Sequence, residues 1–515
     1  MALQLVASFS SCACSFTKPP PTIHIQFRLP KNGKISSPHG CMVCPKDAKK
    51  IIVRRSANYQ PSIWDNDFVQ SLKSEFRAYT KRINKLKEEV RVMLNQAVNP
   101  LDQLQLIDTL QRLGLAYHFE DEIKRILMSI YTHNSCNNTK MREDLCTTAL
   151  EFRLLRQHGY KITQEEGEII LQYARDFTTT SLKKYVEHSK DQNLSMIMSH
   201  ALDLPLHWRM QRLETRWFID VYERKQGMNP LLLELAKLDF NMWWRNTGLG
   251  QKLGFARDRI MESFLWSIGM IFEPQFSYCR RMIAKLFALL TTIDDIYDVY
   301  GTMDELELFT DAVQSFQTIC FLSFYNSINE IAFDVLWEQG FNAIPYLKKA
   351  IKYIDNAWIS ITGPMNQVHA YFLVKSPISN DALKRLEEHS NLIRFSSMIF
   401  RLADDLGTSS DKLKRGDVPK SIQCYMHETG ASEAKARDHI RFLISETWKK
   451  MNKERVADSP FSETFIGVAI NLARMAHCMY QYGDGHGIQD RETKDRVLSL
   501  LVQPISFMQL SSLYL

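Results

Sequence analysis

Apolar residues recur every three or four positions along most of the chain after residue 54. This spacing places them on one face of a helix. Alternating apolar and polar runs bounded by turn dipeptides, which mark strands, are nearly absent. The pattern therefore predicts an all-α fold. It is clearest in five stretches: 65–98, 101–128, 167–187, 258–273 and 277–300.

One break and two polar loops interrupt this helical pattern. Lys225–Pro230 contains Gly227 and ends in proline, so it predicts a break between two groups of helices. A chain of 515 residues is long enough for two domains. We predict helical domains over 54–228 and 229–515, with polar loops at 409–421 and 483–492 near the end of the second.

Charge is unevenly distributed along the chain. Residues 1–53 contain seven Lys or Arg and a single acid, Asp47, and they are rich in Ser and Pro. This composition is typical of an organelle transit peptide, so we predict plastid targeting for residues 1–53, with the mitochondrion as the alternative. The remaining residues hold 57 basic and 57 acidic side chains. This balance argues against a nucleic-acid partner, and no apolar run is long enough to predict a membrane span.

An acidic cluster follows the apolar run from Met282 to Leu290. Its carboxylates are Asp294, Asp295 and Asp298. On a helix, residues four apart lie on one face, so Asp294 and Asp298 would lie close together. A hard divalent cation such as Mg²⁺ relieves the repulsion between them. The alternative is a solvated acidic helix end, although acids favour the first turn of a helix over the last.

A second group with similar chemistry lies about a hundred residues later. Asp404 and Thr408 are four apart, and Arg401 precedes Asp404 by about one turn. Carboxylate and hydroxyl oxygens are ligands for Mg²⁺, and a guanidinium binds phosphate. The two groups together predict a metal site facing a diphosphate.

With these motifs the chain resembles the class I terpene synthases of flowering plants. Asp294–Asp298 matches the DDxxD motif of that family, and Asp404–Thr408 matches its second metal motif. Arg257–Arg259 matches the RxR diphosphate clamp. Arg54-Arg55, followed after eight residues by Trp64, matches the RR(x)8W motif of the monoterpene-forming branch. The resemblance extends from Arg54 to the C-terminus.

The resemblance implies an N-terminal α-barrel-like domain and a C-terminal α-helical bundle that holds the site. It implies ionisation of geranyl diphosphate to a monoterpene and diphosphate in the plastid stroma, by a monomer or homodimer. Three Mg²⁺ ions are implied, with Mn²⁺ as a substitute. The product stays open between cyclic compounds of the terpineol or limonene type and acyclic ones of the ocimene, myrcene or linalool type.

Individual roles follow from the same resemblance. Metal would be held by Asp294, Asp298, Asp404 and Thr408, with Asp295 in support. The diphosphate would contact Arg257, Arg259, Arg401 and Lys420, besides Asp294 and Asp404. Arg54, Arg55 and Trp64 would help to close a lid over the site.

Four aromatic residues match the pocket lining of the family: Trp266, Phe287, Phe400 and Tyr480. Each is equally interpretable as a core aromatic. Tyr480 and His486 match positions near the final deprotonation or water capture, although a lone loop histidine is more often structural. The bulky rings at 287 and 400 resemble isoprene- and ocimene-type enzymes, whereas Ile361 and Lys420 argue against isoprene.

Two features depart from the family pattern. Lys412 occupies the position of a metal-binding glutamate, and an ammonium group cannot ligate Mg²⁺. Segments are also missing after Tyr160, after Met242, after Val313 and near Asp355. The competing hypotheses are therefore a catalytically silent terpene-synthase-like protein and, as a further alternative, a sesquiterpene or isoprene synthase.

Overall fold

The computed structural model describes residues 62–64, 80–136, 145–160, 168–189, 191–243, 259–295, 319–344, 346–347, 362–415, 420–488 and 490–505. These residues form α-helices joined by turns, short 3₁₀ segments and one π-helical turn, and no strand occurs among them. The all-α prediction is confirmed.

Eight described helices precede residue 244. They are α1 Thr80–Gln96, α2 Pro100–Arg112, α3 Glu120–Cys136, α4 Leu145–Gln157, α5 Glu168–His188, α6 Gln192–Asp203, α7 Gln211–Glu223 and α8 Pro230–Trp243. Ten more follow: α9 Ile260–Met270, α10 Ser277–Asp295, α11 Ile319–Gln339, α12 Gly363–Leu373, α13 Asn380–Glu387, α14 Asn391–Arg415, α15 Ser421–Thr429, α16 Glu433–Val456, α17 Glu463–Tyr480 and α18 Arg491–Val497.

The predicted stretch 101–128 is divided into two helices, α2 and α3. Gly114 lies between them with φ of +69°, a backbone conformation that side chains with a Cβ rarely adopt. A Cβ at this position would also lie 2.7 Å from Thr215 Oγ1 on α7. The chain therefore turns at Gly114 and packs tightly against α7.

The predicted loop at 409–421 is wrong over its first part. Helix α14 continues to Arg415, because the polar residues after Thr408 include no helix breaker until Gly416. The predicted loop at 483–492 ends earlier than expected, since α18 begins at Arg491. Asp490 caps that helix, accepting a hydrogen bond from Thr493 N at 2.7 Å.

The centre of the C-terminal part is a bundle of α9, α10, α12, α14 and α17. Every residue of Met261–Met270 on α9 and of Gly363–Leu373 on α12 is buried. A helix that is buried on all sides belongs in the middle of a bundle. Helix α11 packs outside α10 and α12, and α16 packs outside α14.

Contacts also link helices from different parts of the chain. Helix α8 packs against α1 and α7. Asn241 on α8 exchanges two hydrogen bonds with the Ile505 backbone, at 3.0 and 2.8 Å. Trp208 stacks on His477 of α17, with ring centroids 5.0 Å apart. Helices from both predicted domains thus share buried surface.

Backbone contacts divide the chain into two units, Met1–Arg55 and Ser56–Leu515. The predicted transit peptide, 1–53, lies outside the described residues, and the domain boundary at residue 228 stays a prediction. No described helix combines the length and the apolar character needed to cross a bilayer.

Candidate active site

The first acidic motif begins in the last turn of α10. The apolar side of this helix is buried in the bundle through Met282, Ile283, Leu286 and Leu290. Burial ends near Thr291, and Asp294 is exposed. The helix therefore runs from the buried core to an exposed carboxylate, and the metal-binding role of Asp294 stays a prediction. The side chain of Asp295, and Asp298 as a whole, lie outside the described residues.

The second motif lies within α14 and is buried. Asp404, Asp405 and Thr408 are each 3% exposed or less. The Thr408 hydroxyl donates to the Asp404 carbonyl at 2.7 Å, which leaves its oxygen lone pairs as acceptors. Arg401 Nη2 lies 2.8 Å from Asp405 Oδ1, and Arg401 Nη1 lies 3.9 Å from Asp404 Oδ2.

The local charge at this motif follows from these contacts. Burial alone lowers the pKa of Arg401, but Asp405 and Asp404 outweigh it and leave that pKa raised. Two buried carboxylates thus lie beside one permanently charged guanidinium. Carboxylate oxygens in this position are of the type that a divalent cation binds.

Asp405 is a residue whose role the sequence analysis missed. Besides binding Arg401, it accepts a hydrogen bond from Ser421 N at 3.1 Å. Ser421 is the first residue of α15, so Asp405 fixes the start of that helix and places Lys420 beside the second motif. The spacing of four between Arg401 and Asp405 was the available signal.

Tyr480, at the end of α17, joins the two acidic motifs. Burial raises the pKa of its phenol well above the usual value, and the carboxylates of Asp404, Asp484 and Asp294 raise that pKa further. Carboxylates from α10 and α14 therefore both influence the same phenol.

The four predicted pocket aromatics form one cluster around Trp266. Its ring centroid lies 4.8 Å from that of Phe400, 5.2 Å from that of Phe287 and 6.1 Å from that of Tyr480. Phe400 and Tyr480 also stack at 6.3 Å. The rings come from α9, α10, α14 and α17, so the cluster lies where the main bundle helices converge.

Two predicted residues have contacts at the beginning of α9. Arg259 is buried just before the first turn, and its Nη2 donates to the Gly487 carbonyl at 3.2 Å. Trp64 Nε1 donates to Glu262 Oε1, also at 3.2 Å. The N-terminal segment and the arginine clamp are therefore attached to the same turn of α9. Arg54, Arg55 and Arg257 lie outside the described residues.

His486 lies on the loop after α17 and contacts α10. Its Nε2 is 2.8 Å from Thr291 Oγ1, and this hydroxyl also lies 2.9 Å from the Phe287 carbonyl. The same loop meets α14 at Gly407, where a Cβ would lie 2.7 Å from the Gly483 carbonyl and 2.9 Å from Tyr480 Cβ. Only glycine permits this approach between the second metal motif and the loop.

The residues present fit a divalent cation in their chemistry. Asp294, Asp404 and Thr408 supply carboxylate and hydroxyl oxygens, the donors that Mg²⁺ prefers. In the part of the chain that the structure describes, no three His, Cys, Asp or Glu side chains form a metal-binding cluster. Asp298 and the side chains of Asp295 and Lys412 lie outside the described residues. The ligand assignments therefore stay predictions.

Comparison with known proteins identifies two family models on this chain. The model described as "Terpene synthase, N-terminal domain" matches residues 63–166. The model described as "Terpene synthase family, metal binding domain" matches residues 245–352 and 346–450. The second match includes both acidic motifs and Arg401.

Curated relatives from several plants match over nearly their full length. Terpene synthase 10 of Ricinus communis is 58% identical, over 90% of this chain and 100% of that protein. Myrcene synthase, chloroplastic, of Quercus ilex is 52% identical, over 92% and 94%. (-)-alpha-terpineol synthase of Vitis vinifera is also 52% identical, over 94% and 98%.

Solved structures share the fold. A limonene synthase with 2-fluorolinalyl diphosphate has a TM-score of 0.82 at 39% identity, covering 88% of this chain and 100% of that chain. Isoprene synthase from grey poplar, in complex with three Mg²⁺ ions and dimethylallyl-S-thiolodiphosphate, has a TM-score of 0.75 at 40% identity, covering 86% and 99%.

The comparisons also indicate that this chain lacks residues that a relative carries. The alignment to the Ricinus communis protein runs over 549 positions, more than the 515 residues of this chain, so that relative carries residues with no counterpart here. The metal-binding family model matches in two pieces, which overlap at residues 346–352. This break lies close to the gap predicted near Asp355.

Proposed function

Because the chain belongs to the terpene synthase family, we propose that it ionises geranyl diphosphate and releases a monoterpene and diphosphate. As a member of this family it is a lyase that acts on prenyl diphosphates and depends on a divalent metal. Relatives named for myrcene, α-terpineol and limonene formation support the monoterpene class. Those named chloroplastic support the plastid, and we propose the stroma as the compartment.

The observation that carries this proposal is the convergence of two acidic motifs on one aromatic cluster. The loop after α17 contacts Thr291, one turn before Asp294, and Gly407, between Asp404 and Thr408. Tyr480, which precedes this loop, belongs to the cluster around Trp266. An ionisation site needs hard ligands at one end and an apolar, aromatic surface at the other. These helices bring both requirements together.

Each set of residues has a chemical task. Bound Mg²⁺ would supply positive charge that stabilises the departing diphosphate, and its proposed ligands are Asp294, Asp298, Asp404 and Thr408. Arg259 and Arg401 would add guanidinium groups on the same side. The rings of the cluster would face the allylic cation, stabilising it through their π electrons and excluding water.

We propose three Mg²⁺ ions, with Mn²⁺ as a substitute. The grey poplar isoprene synthase was solved in complex with three Mg²⁺ ions and a thiolodiphosphate, and that chain is 40% identical to this one. A monomer or a homodimer remains the prediction for the oligomeric state.

The missing segments favour one alternative function. Loss of helix around the pocket would leave apolar faces uncovered, and Lys412 would replace a carboxylate ligand with an ammonium. The alternative is a family member that binds prenyl diphosphate without turning it over. Sesquiterpene or isoprene formation has less support, because the relatives described above at 52% identity carry monoterpene names.

Diphosphate release separates these alternatives. The full chain, incubated with geranyl diphosphate and Mg²⁺, should release diphosphate, and EDTA should abolish the release. Asp404→Asn removes a proposed ligand charge and should lower the rate by about a hundredfold or more. Substrate binding without release by the wild type would favour the silent protein.

A further inference from the structure

The loop from Gly483 to Ile488 contacts three elements that carry diphosphate-binding motifs. The Gly487 carbonyl accepts from Arg259 at the start of α9. His486 contacts Thr291 near the end of α10. The Gly483 carbonyl lies against Gly407, between Asp404 and Thr408 on α14. One short loop thus links the arginine clamp to both acidic motifs.

The loop is held in a defined conformation by its own hydrogen bonds. Asp484 Oδ1 accepts from Gly487 N at 2.7 Å, and the Asp484 carbonyl accepts from Ile488 N at 2.8 Å. Gly485 N donates to the Met479 carbonyl at 3.1 Å, and a Cβ at Gly485 would lie only 2.4 Å from that oxygen. A loop built in this way can fix the position of the side chain it carries.

The two contacts of the Thr291 hydroxyl indicate where the imidazole hydrogen lies. A hydroxyl has one hydrogen and accepts through its lone pairs. Both contacts are satisfied when the hydroxyl donates to the Phe287 carbonyl and accepts from His486 Nε2–H. In that arrangement Nε2 bears a hydrogen and is a hydrogen-bond donor to Thr291.

Thr291 is well placed to transmit this contact to the metal motif. It is buried and lies three residues before Asp294, on the neighbouring turn of the same side of α10. The His486–Thr291 hydrogen bond holds α10 at the point where the helix leaves the core.

We propose that His486 is a positioning residue, which acts through Thr291 to hold Asp294 in register with Arg259 and the second acidic motif. This assignment rests on the proposed function, since it concerns the same metal and diphosphate site. It differs from the role of general base that the sequence suggests for His486.

The test measures binding of inorganic diphosphate in the presence of Mg²⁺ by calorimetry, using the full chain. This ligand has no carbon skeleton, so no proton is abstracted and a base has no part in the result. Thr291→Val removes the hydroxyl, and His486→Phe removes the ring N–H. Each should weaken binding about tenfold or more, as expected for an outer contact that orients a metal ligand.

Matched variants separate positioning from general disruption. Thr291→Ser keeps the hydroxyl, and His486→Gln keeps an N–H the same number of bonds from Cα, so both should bind as the wild type does. The double variant Thr291→Val with His486→Phe should bind diphosphate about as weakly as either single variant, because each substitution removes the same hydrogen bond. Thermal unfolding checks that each variant is folded.

The outcomes distinguish this proposal from the one it rests on. If Thr291→Val binds diphosphate as the wild type does, while His486→Gln loses turnover of geranyl diphosphate, His486 is a base and the positioning role is wrong. If the wild type itself shows no Mg²⁺-dependent binding of diphosphate, the proposed function fails and the positioning role falls with it.

Discussion

At the scale of single residues, the buried charges of α14 decide how the second acidic motif is held. Asp405 is nearly inaccessible and joins Arg401 to the start of α15. Removing one partner of a buried pair leaves the other charge uncompensated, which costs about 3–5 kcal/mol. We therefore predict that Asp405→Asn destabilises the protein by roughly that amount and lowers activity as well.

Urea denaturation measures this effect, and the chain offers a matched control. Asp438 also pairs with an arginine, Arg441, at 2.8 Å, but both side chains are exposed. Exposed pairs contribute about 0–1 kcal/mol, so Asp438→Asn should hardly change the unfolding midpoint. Equal losses in the two variants would contradict the importance of burial at Asp405.

The chemistry of these residues is predictable from the sequence, whereas their contacts with other elements are not. The spacing of Asp404 and Thr408 predicted a shared helix face, which α14 provides. The contacts of Asp405 with Ser421 and of His486 with Thr291 join residues distant in sequence or across a loop. Periodicity describes one helix at a time, so it gave no indication of either contact.

At the scale of elements, the approach of α14 to the loop after α17 depends on Gly407. An added Cβ would overlap the Gly483 carbonyl and Tyr480. Overpacking of this kind costs about 1–3 kcal/mol, so Gly407→Ala should lower stability by that amount and displace the second acidic motif. Unfolding midpoints and the rate of diphosphate release check the two parts of the prediction.

Gly467 on α17 is the control for Gly407→Ala. A Cβ at Gly467 would meet nothing within 4 Å. Because alanine favours helix over glycine by about 1 kcal/mol, Gly467→Ala should stabilise the protein or leave it unchanged. A stabilising effect of Gly407→Ala would show that the close approach does not constrain the site.

Element boundaries were predictable where the sequence contains breakers and less so elsewhere. The break at Lys225–Pro230 corresponds to the turn between α7 and α8. The polarity of residues 409–415 predicts a loop, but α14 continues through them, because serine, lysine and arginine are compatible with a helix. The turn at Gly114 was missed because its cause is packing against α7.

At the scale of the whole molecule, buried neutral histidines predict how stability depends on pH. His369 is fully buried on α12 and donates from Nδ1 to the Met365 carbonyl at 2.7 Å. Burial lowers the pKa of His369 to about 4. The unfolded chain takes up a proton at this histidine below about pH 6.5, whereas the folded chain does not until about pH 4.

Stability should therefore fall as the pH is lowered from about 6.5 to 4, by up to about 1.4 kcal/mol per pH unit from His369. His369→Asn removes this titration. The amide of asparagine can bond four residues back, as Asn366 does with the Thr362 carbonyl at 3.1 Å. Urea unfolding at several pH values should show a shallower acid dependence in this variant. An unchanged slope would mean that His369 is charged in the folded protein.

We propose that this chain forms a monoterpene despite Lys412 and the missing segments. The most direct measurement is gas chromatography of volatiles from the full chain with Mg²⁺, supplied in parallel with geranyl, farnesyl and dimethylallyl diphosphates. We predict a defined monoterpene from geranyl diphosphate, above a boiled control, and little product from the other two. Unreacted substrate in all three reactions, from protein shown to be folded, would contradict the claim and identify a catalytically silent member of the family.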